Sequence, residues 1–440
     1  MASESWAVYT TDGVGASRGV CAMSELMAQK KTKATFVIDK VISGMSTDFM
    51  NKRANHNSEE TWHRHPADDV ASRAGSPCHI YVHIPFCARI CPYCAFYKDR
   101  LDRSKTQRFC EAILGELEQH VATGKILPST IYFGGGTPTA LTRWQLEFVM
   151  HGFHEQLDLS QLVEWTVEAN PGSVSERKAD VLQKFGVNRI SLGVQSWNDR
   201  LLKLLGREHK ARQAENSFRI LRTAGFSNIN VDLMFGLPTQ TLEQWRATLE
   251  KTIALQPEHV STYCLTYEED TEFFRRQQRG EFQPNADADA EFFEMTMSIL
   301  EAAGYQHYEI SNYARPGFSS VHNRAYWRGE DYLGIGPSAF STVGRRRWQN
   351  VADYRAYIDR VLSGRSVVGS TEKLTTKMKR AEKIALSLRT RDGVSADLLK
   401  HLPNETDEFV RLGLLECSDG NFVLTGPGKS LADSVAEAFI

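Results

Sequence analysis

The chain has 440 residues, 41% of them hydrophobic and 24% charged, with a formal net charge of −2. That length calls for two or three domains, and that composition for a globular protein rather than a disordered one. So even a charge gives no electrostatic case for a nucleic-acid partner or an anionic membrane surface, and no apolar run is long enough to span a bilayer.

Residues 1–75 lack a secretory apolar core, and Glu4, Asp12, Glu25 and Asp39 interrupt any organellar presequence. They carry no sustained periodicity, and 51–75 are rich in Asn, His, Ser, Arg and Asp, so a poorly ordered extension is expected. Met23, Met27, Met45 and Met50 are alternative starts, so an over-long reading of the gene and a genuine extension both stay open.

From residue 78 short apolar segments alternate with stretches of helical length. Strands are predicted at His79–Ile84, Thr130–Phe133, Glu164–Glu168, Arg189–Val194, Asn228–Leu233 and His259–Tyr263. The helices between them are predicted near 105–122, 142–156, 175–185, 199–205, 211–224 and 242–255, with another near 287–303. Repeated strand–helix units imply a parallel sheet, and a partial (β/α)6 barrel is the expected α/β fold. The unusual residues follow the strands, so they would share one rim. After about residue 312 the pattern changes. Helices at 352–363, 375–388 and 395–401, then a helix–hairpin–helix ending, predict a small α+β module, winged-helix-like in outline. The expected division is 1–75 extension, 76–312 barrel and 313–440 C-terminal domain.

Eight cysteines are scattered over a long chain, which suits reduced cytosolic thiols better than a secreted disulfide scaffold. Cys110, Cys264 and Cys417 are expected to be buried small hydrophobes. Cys87, Cys91 and Cys94 stand apart, as a C-x3-C-x2-C triplet after the first strand. Three thiols are one short of the four that close an ordinary iron–sulfur cluster. A zinc staple would need four ligands, usually in two paired knuckles, and no second C-x2-C exists, although His83 is close in sequence.

The triplet, with Tyr93 before its last cysteine, resembles the radical S-adenosylmethionine (SAM) superfamily. That resemblance implies a [4Fe–4S] cluster on Cys87, Cys91 and Cys94 whose open iron binds SAM. The segments Tyr81–Cys87, Gly134–Pro138, Gly193–Ser196, Asp232–Pro238 and Tyr308–Tyr313 together resemble the oxygen-independent coproporphyrinogen III oxidase family over residues 78–440. The resemblance implies SAM contacts from Tyr81, Tyr93, Gly135, Gly136, Thr137, Glu168, Gln195, Arg207 and Asp232. Glycines there let a ligand approach the backbone, and Arg207 could pair with the SAM carboxylate.

The oxidase branch has a further cysteine two positions past the triplet, where this chain has Phe96. Phe96 resembles the haem-chaperone (HemW) branch, as does His322-Asn323-Arg324-Ala325-Tyr326-Trp327, an H-N-x-x-Y-W signature. This branch implies haem as a ligand, with His322 as axial ligand and Tyr326 and Trp327 against the porphyrin. It also implies haem-receiving respiratory proteins as partners, with any membrane contact made through them, and a cytoplasmic location. The alternative is an enzyme that decarboxylates coproporphyrinogen III. Arg345-Arg346-Arg347 is expected to be a solvated turn, and Glu268-Glu269-Asp270 to cap the next helix. Phe273-Phe274 and Phe292-Phe293 are expected on helix core faces.

Overall fold

The computed structural model describes residues 77–439, so the expectations for residues 1–75 lie outside it. Strands β1 (Pro77–Ile84), β2 (Leu127–Gly135), β3 (Glu164–Ala169), β4 (Arg189–Gln195), β5 (Ile229–Phe235) and β6 (His259–Cys264) lie side by side in chain order, all parallel. Helices α1 (Thr106–Val121), α2 (Arg143–Gln156), α3 (Glu176–Lys184), α4 (Asp199–Leu204), α5 (Ala211–Thr223) and α6 (Leu242–Ala254) connect them. The predicted elements match these bounds to within a few residues.

Alternation along each strand sorts the side chains. Ile80, Val82 and Ile84 are fully buried with Phe109, Ile113 and Leu117 of α1. His79, Tyr81 and His83 turn the other way, into the barrel. Local chemistry sets the helix starts. Thr142 and Gln145 close a capping box on α2, as Thr241 and Gln244 do on α6.

Helices α7 (Glu272–Gln278) and α8 (Ala286–Ala302) lead to β7 (Gln306–Glu309) and β8 (Asn312–Ala314); β8 pairs antiparallel with both β6 and β7. Phe273, Phe292 and Phe293 are buried, as expected of core faces. The cap of α7 is Thr271, whose hydroxyl accepts from the Phe274 amide, rather than the acidic triplet before it. Glu268 contributes a backbone carbonyl that takes the Thr271 hydroxyl at 2.7 Å.

The sheet runs past residue 312 without a break. After helix α9 (Val321–Trp327), strand β9 (Tyr332–Ile335) pairs parallel with the free edge of β1. Strands β10 (Phe340–Val343), β11 (Arg346–Asn350) and β12 (Val368–Lys373) extend that edge antiparallel, with helix α10 (Tyr354–Leu362) before β12. The sheet, order β12-β11-β10-β9-β1-β2-β3-β4-β5-β6-β8-β7, stays open, a partial barrel. Arg346 and Arg347 are therefore strand residues, not a solvated turn, and Arg347 forms a two-point ion pair with Glu382, at 2.8 and 2.9 Å.

Helix α11 (Thr376–Leu388) opens a second core that includes Leu388, Phe409, Leu424 and Val435 and packs around a three-stranded sheet. Cys110 is buried, but Cys264 is half-buried and Cys417 exposed, so neither is a core residue.

Candidate cluster and SAM site

The cysteine loop leaves the top of β1. Residues Phe86–Cys87 and Asp99–Arg100 pair as a short parallel ladder, which ties the two ends of the loop together. Inside it the Cys94 amide donates to the Cys91 carbonyl at 3.2 Å, and Lys98 donates to the Cys94 carbonyl. Cys87, Cys91 and Cys94 are all free and partly exposed. Burial pushes the Cys87 thiol up to about 11, with Cys94 and Cys91 adding to it, and raises Cys94 in the same way. Burial thus favours the neutral form of Cys87 and Cys94 until a metal's positive charge takes the protons' place. Among the described residues no three Cys, His, Asp or Glu side chains converge on one point as a single-ion site requires. Thiols that each ligate a different iron of a cubane need no such point.

The rim facing this loop is made of strand ends. After β2 the Gly136 amide donates to the Ile84 carbonyl at 2.8 Å, and the Thr137 amide to the Phe86 carbonyl at 2.9 Å. Gly135 has a φ of +105°, and a Cβ there would fall 2.5 Å from the His83 ring. At Gly136 it would fall 2.6 Å from the Pro85 carbonyl oxygen. Only glycine keeps this turn against the loop. The Thr137 hydroxyl lies 3.7 Å from the Cys87 sulfur.

Glu168 at the end of β3 accepts from the Gly135 amide at 3.1 Å and the Tyr132 hydroxyl at 2.8 Å. Burial raises its carboxyl to about 7, and Asp232 pushes it further the same way. Asp232 on β5 accepts from the Ser191 hydroxyl at 2.9 Å and the Asn230 amide group at 2.7 Å, and burial raises it too. Gln195 closes β4 in a left-handed conformation, φ 67°. Arg207 donates to the Gly193 carbonyl at 2.7 Å and to the Cys91 sulfur at 3.8 Å. Its Nε is buried without a hydrogen-bond partner. Tyr93 is engaged with Arg207 and packs beside Phe273. A carboxylate-seeking guanidinium and a side-chain-free turn therefore lie against the thiols, and two carboxylates stand on the neighbouring strands inside the barrel. These residues fit a SAM-liganded cluster.

Tyr81 lies one layer below this rim. Its hydroxyl meets His83 Nδ1 at 3.1 Å and its ring stacks on Tyr132, 6.0 Å between centroids. His83 Nε2 bonds the Tyr97 carbonyl at 2.9 Å, so it belongs to the loop's footing and not to a ligand set. At the lowest layer Thr130 is shared by His79 Nδ1 at 2.9 Å and His322 Nδ1 at 2.7 Å. The His322 ring packs on Tyr132, 5.0 Å away, and burial lowers it to about 3. Glu164 holds His322's helix: it accepts from the Ser320 hydroxyl and the Val321 and His322 amides at 3.0, 2.8 and 3.1 Å.

His322 and the aromatic pair of H-N-x-x-Y-W therefore do not meet, although the Tyr326 and Trp327 rings meet each other at 5.6 Å. His322 points into the barrel, Tyr326 packs against Tyr332, and the Trp327 ring sits under the Arg389 guanidinium. Sequence reading missed Glu164, Thr130, His79 and Arg189. Arg189 is 1% exposed inside the barrel, its Nε unpartnered, and its charge lowers Glu168 and Asp232. A polar residue inside a predicted strand was the available signal. Phe96 is 46% exposed on the cysteine loop.

Known proteins agree with this geometry. The family described as "Radical SAM superfamily" matches residues 81–252. The protein named heme chaperone HemW from Lactococcus lactis subsp. lactis is 37% identical over 374 residues, 83% of this chain and 97% of that one. Its counterpart from Escherichia coli K12, also named heme chaperone HemW, is 36% identical over 384 residues, 83% of this chain and 98% of that one. The solved structure of coproporphyrinogen III oxidase (HemN) from Escherichia coli superposes with a TM-score of 0.75 at 24% identity, covering 85% of this chain and 92% of that one. That last likeness bears on the fold alone. Membership of the superfamily implies a [4Fe–4S] cluster and SAM. With thiol triplet, rim and whole-length relatives in agreement, this chain belongs to the radical SAM superfamily and, within it, to the HemW family.

Proposed function

We propose that this protein is a haem chaperone that carries a SAM-liganded [4Fe–4S] cluster and delivers haem to respiratory proteins. The observation that carries the reading is Phe96, exposed on the cysteine loop where the oxidase branch has its further cysteine. The relatives named heme chaperone support it. Cys87, Cys91 and Cys94 hold the cluster. Arg207 receives the SAM carboxylate, Glu168, Asp232 and Gln195 take its ammonium and hydroxyl groups, and Gly135, Gly136 and Thr137 line its path, with Tyr81 and Tyr93 as footing. Such a cluster, when bound, supplies one-electron reduction of SAM.

His322 is the proposed contact to haem iron, and Tyr326 and Trp327, whose rings meet each other at 5.6 Å rather than meeting His322, are proposed against the porphyrin edge. Burial keeps the His322 ring neutral, the form that ligates iron. The division expected at residue 312 does not interrupt the sheet, so the division proposed for the chain is an extension to residue 75, a barrel with its added strands to 373, and a C-terminal module from α11 onward. The protein works in the cytoplasm without nucleic acid and meets membranes through its partners; no helix among the described residues is long and apolar enough to cross one.

One preparation tests the reading. Anaerobically reconstituted protein is titrated with haem and, separately, incubated with coproporphyrinogen III, SAM and a reductant. Stoichiometric haem binding without turnover is the expected result. Product above a Cys91→Ala control would replace the chaperone by the oxidase. A haem spectrum unchanged in His322→Ala would remove His322 as the ligand.

A further inference from the structure

A cleft of about 320 Å³ opens at the end of the barrel opposite the cysteine loop. Its walls come from β7, the turn after β8, helix α9 and the loop after α11. Four guanidiniums reach it from three segments: Arg315 after β8, Arg324 on α9 with Arg328 capping its end, and Arg391 after α11. Asp392 is the one carboxylate among the lining residues. It pairs with Arg324 at 3.3 Å, and Glu330, just outside, pairs with Arg328 at 3.2 Å. Arg315 and Arg391 have neutral partners instead: the Pro257 carbonyl at 3.4 Å and the Gln306 side-chain oxygen at 3.2 Å. A cleft with this excess of positive charge, in a chain whose net charge is −2, is built for anions.

The cleft also has an aromatic wall, Trp327. Residues 324, 327 and 328 share one face of α9, as i, i+3 and i+4 positions must. His322 is on the other face, held by Thr130 inside the barrel. The signature is thus split by its own helix: its tryptophan and arginine belong to the cleft and its histidine to the barrel.

We propose that this cleft binds the carboxylate edge of a tetrapyrrole. Two propionates pair with the guanidiniums, Arg315 and Arg391 foremost, and Trp327 meets the adjoining ring. Guanidinium forks match carboxylates at two points, and a cavity of this volume suits that edge while the rest of the macrocycle stays outside. The proposal rests on the haem reading above and not on iron ligation by His322.

The test titrates full-length reconstituted protein with haem, metal-free protoporphyrin and haem dimethyl ester, whose propionates carry no charge. Wild type is expected to bind both free acids roughly tenfold more tightly than the ester. Arg391→Gln and the double variant Arg315→Gln/Arg391→Gln should lose most of that preference, with circular dichroism and melting as checks on folding. Haem bound normally, with the acid–ester preference intact in correctly folded double variant, overturns the cleft and leaves the chaperone reading standing. No haem binding by wild type overturns both.

Discussion

Glu168 shows how one position can serve two demands. Its carboxylate anchors the Gly135 turn, yet burial holds its pKa near 7 against an ordinary 4.5. A carboxyl raised on folding keeps its proton longer in the native state than in the unfolded chain. Stability is therefore lost as pH climbs from about 4.5 to about 7, and the cost persists above that. Replacement by Gln keeps the shape and removes the titration. Ligand-free Glu168→Gln should thus gain on wild type between pH 5 and pH 8, by up to about 3 kcal/mol in urea unfolding. The same variant should bind SAM more weakly, because the ammonium loses its carboxylate. Equal pH profiles for the two proteins would show that Glu168 is already solvated.

Helix α9 is short, seven residues, and isolated helices of that length do not hold themselves together. Its start is secured from another element, by Glu164 of β3. Truncation to Ala would strand two backbone amides and a buried hydroxyl, a loss of roughly 2–3 kcal/mol by chemical denaturation. Glu164→Gln keeps an acceptor oxygen and should cost less. Because α9 carries His322 on one face and Trp327 on the other, Glu164→Ala should also weaken haem binding without touching haem. Unchanged stability and unchanged haem affinity together would mean that the cap is redundant.

At the scale of the molecule, one ion pair joins the extended sheet to the second core. Arg347 of β11 and Glu382 of α11 meet with side chains 13% and 7% exposed. Removing one partner leaves a buried charge uncompensated. Arg347→Met should cost about 3–5 kcal/mol, and Arg347→Met/Glu382→Leu should recover most of it. A double variant no better than the single one would show that the pair also sets the geometry of the joint.

Strand-length apolar runs, helix caps and the polar residues at strand ends are written locally, so the barrel and the rim of Glu168, Gln195 and Asp232 could be read from the chain. The triplet at 87, 91 and 94 and Phe96 also lie within one loop, where spacing alone carries the chemistry. What faces what was not legible. Arg347 looked like a solvated turn because its partner is Glu382, and β9 was missed because its pairing edge, β1, lies about 250 residues earlier. The direction of His322 depends on Thr130 and Glu164, two strand residues whose inward face no local pattern marks. Local periodicity therefore determined the six parallel strands with the helices between them, and cysteine spacing the cluster loop. Long-range pairing decided which polar side chains share the barrel's interior, and it placed the two ends of one signature on opposite sides of a helix.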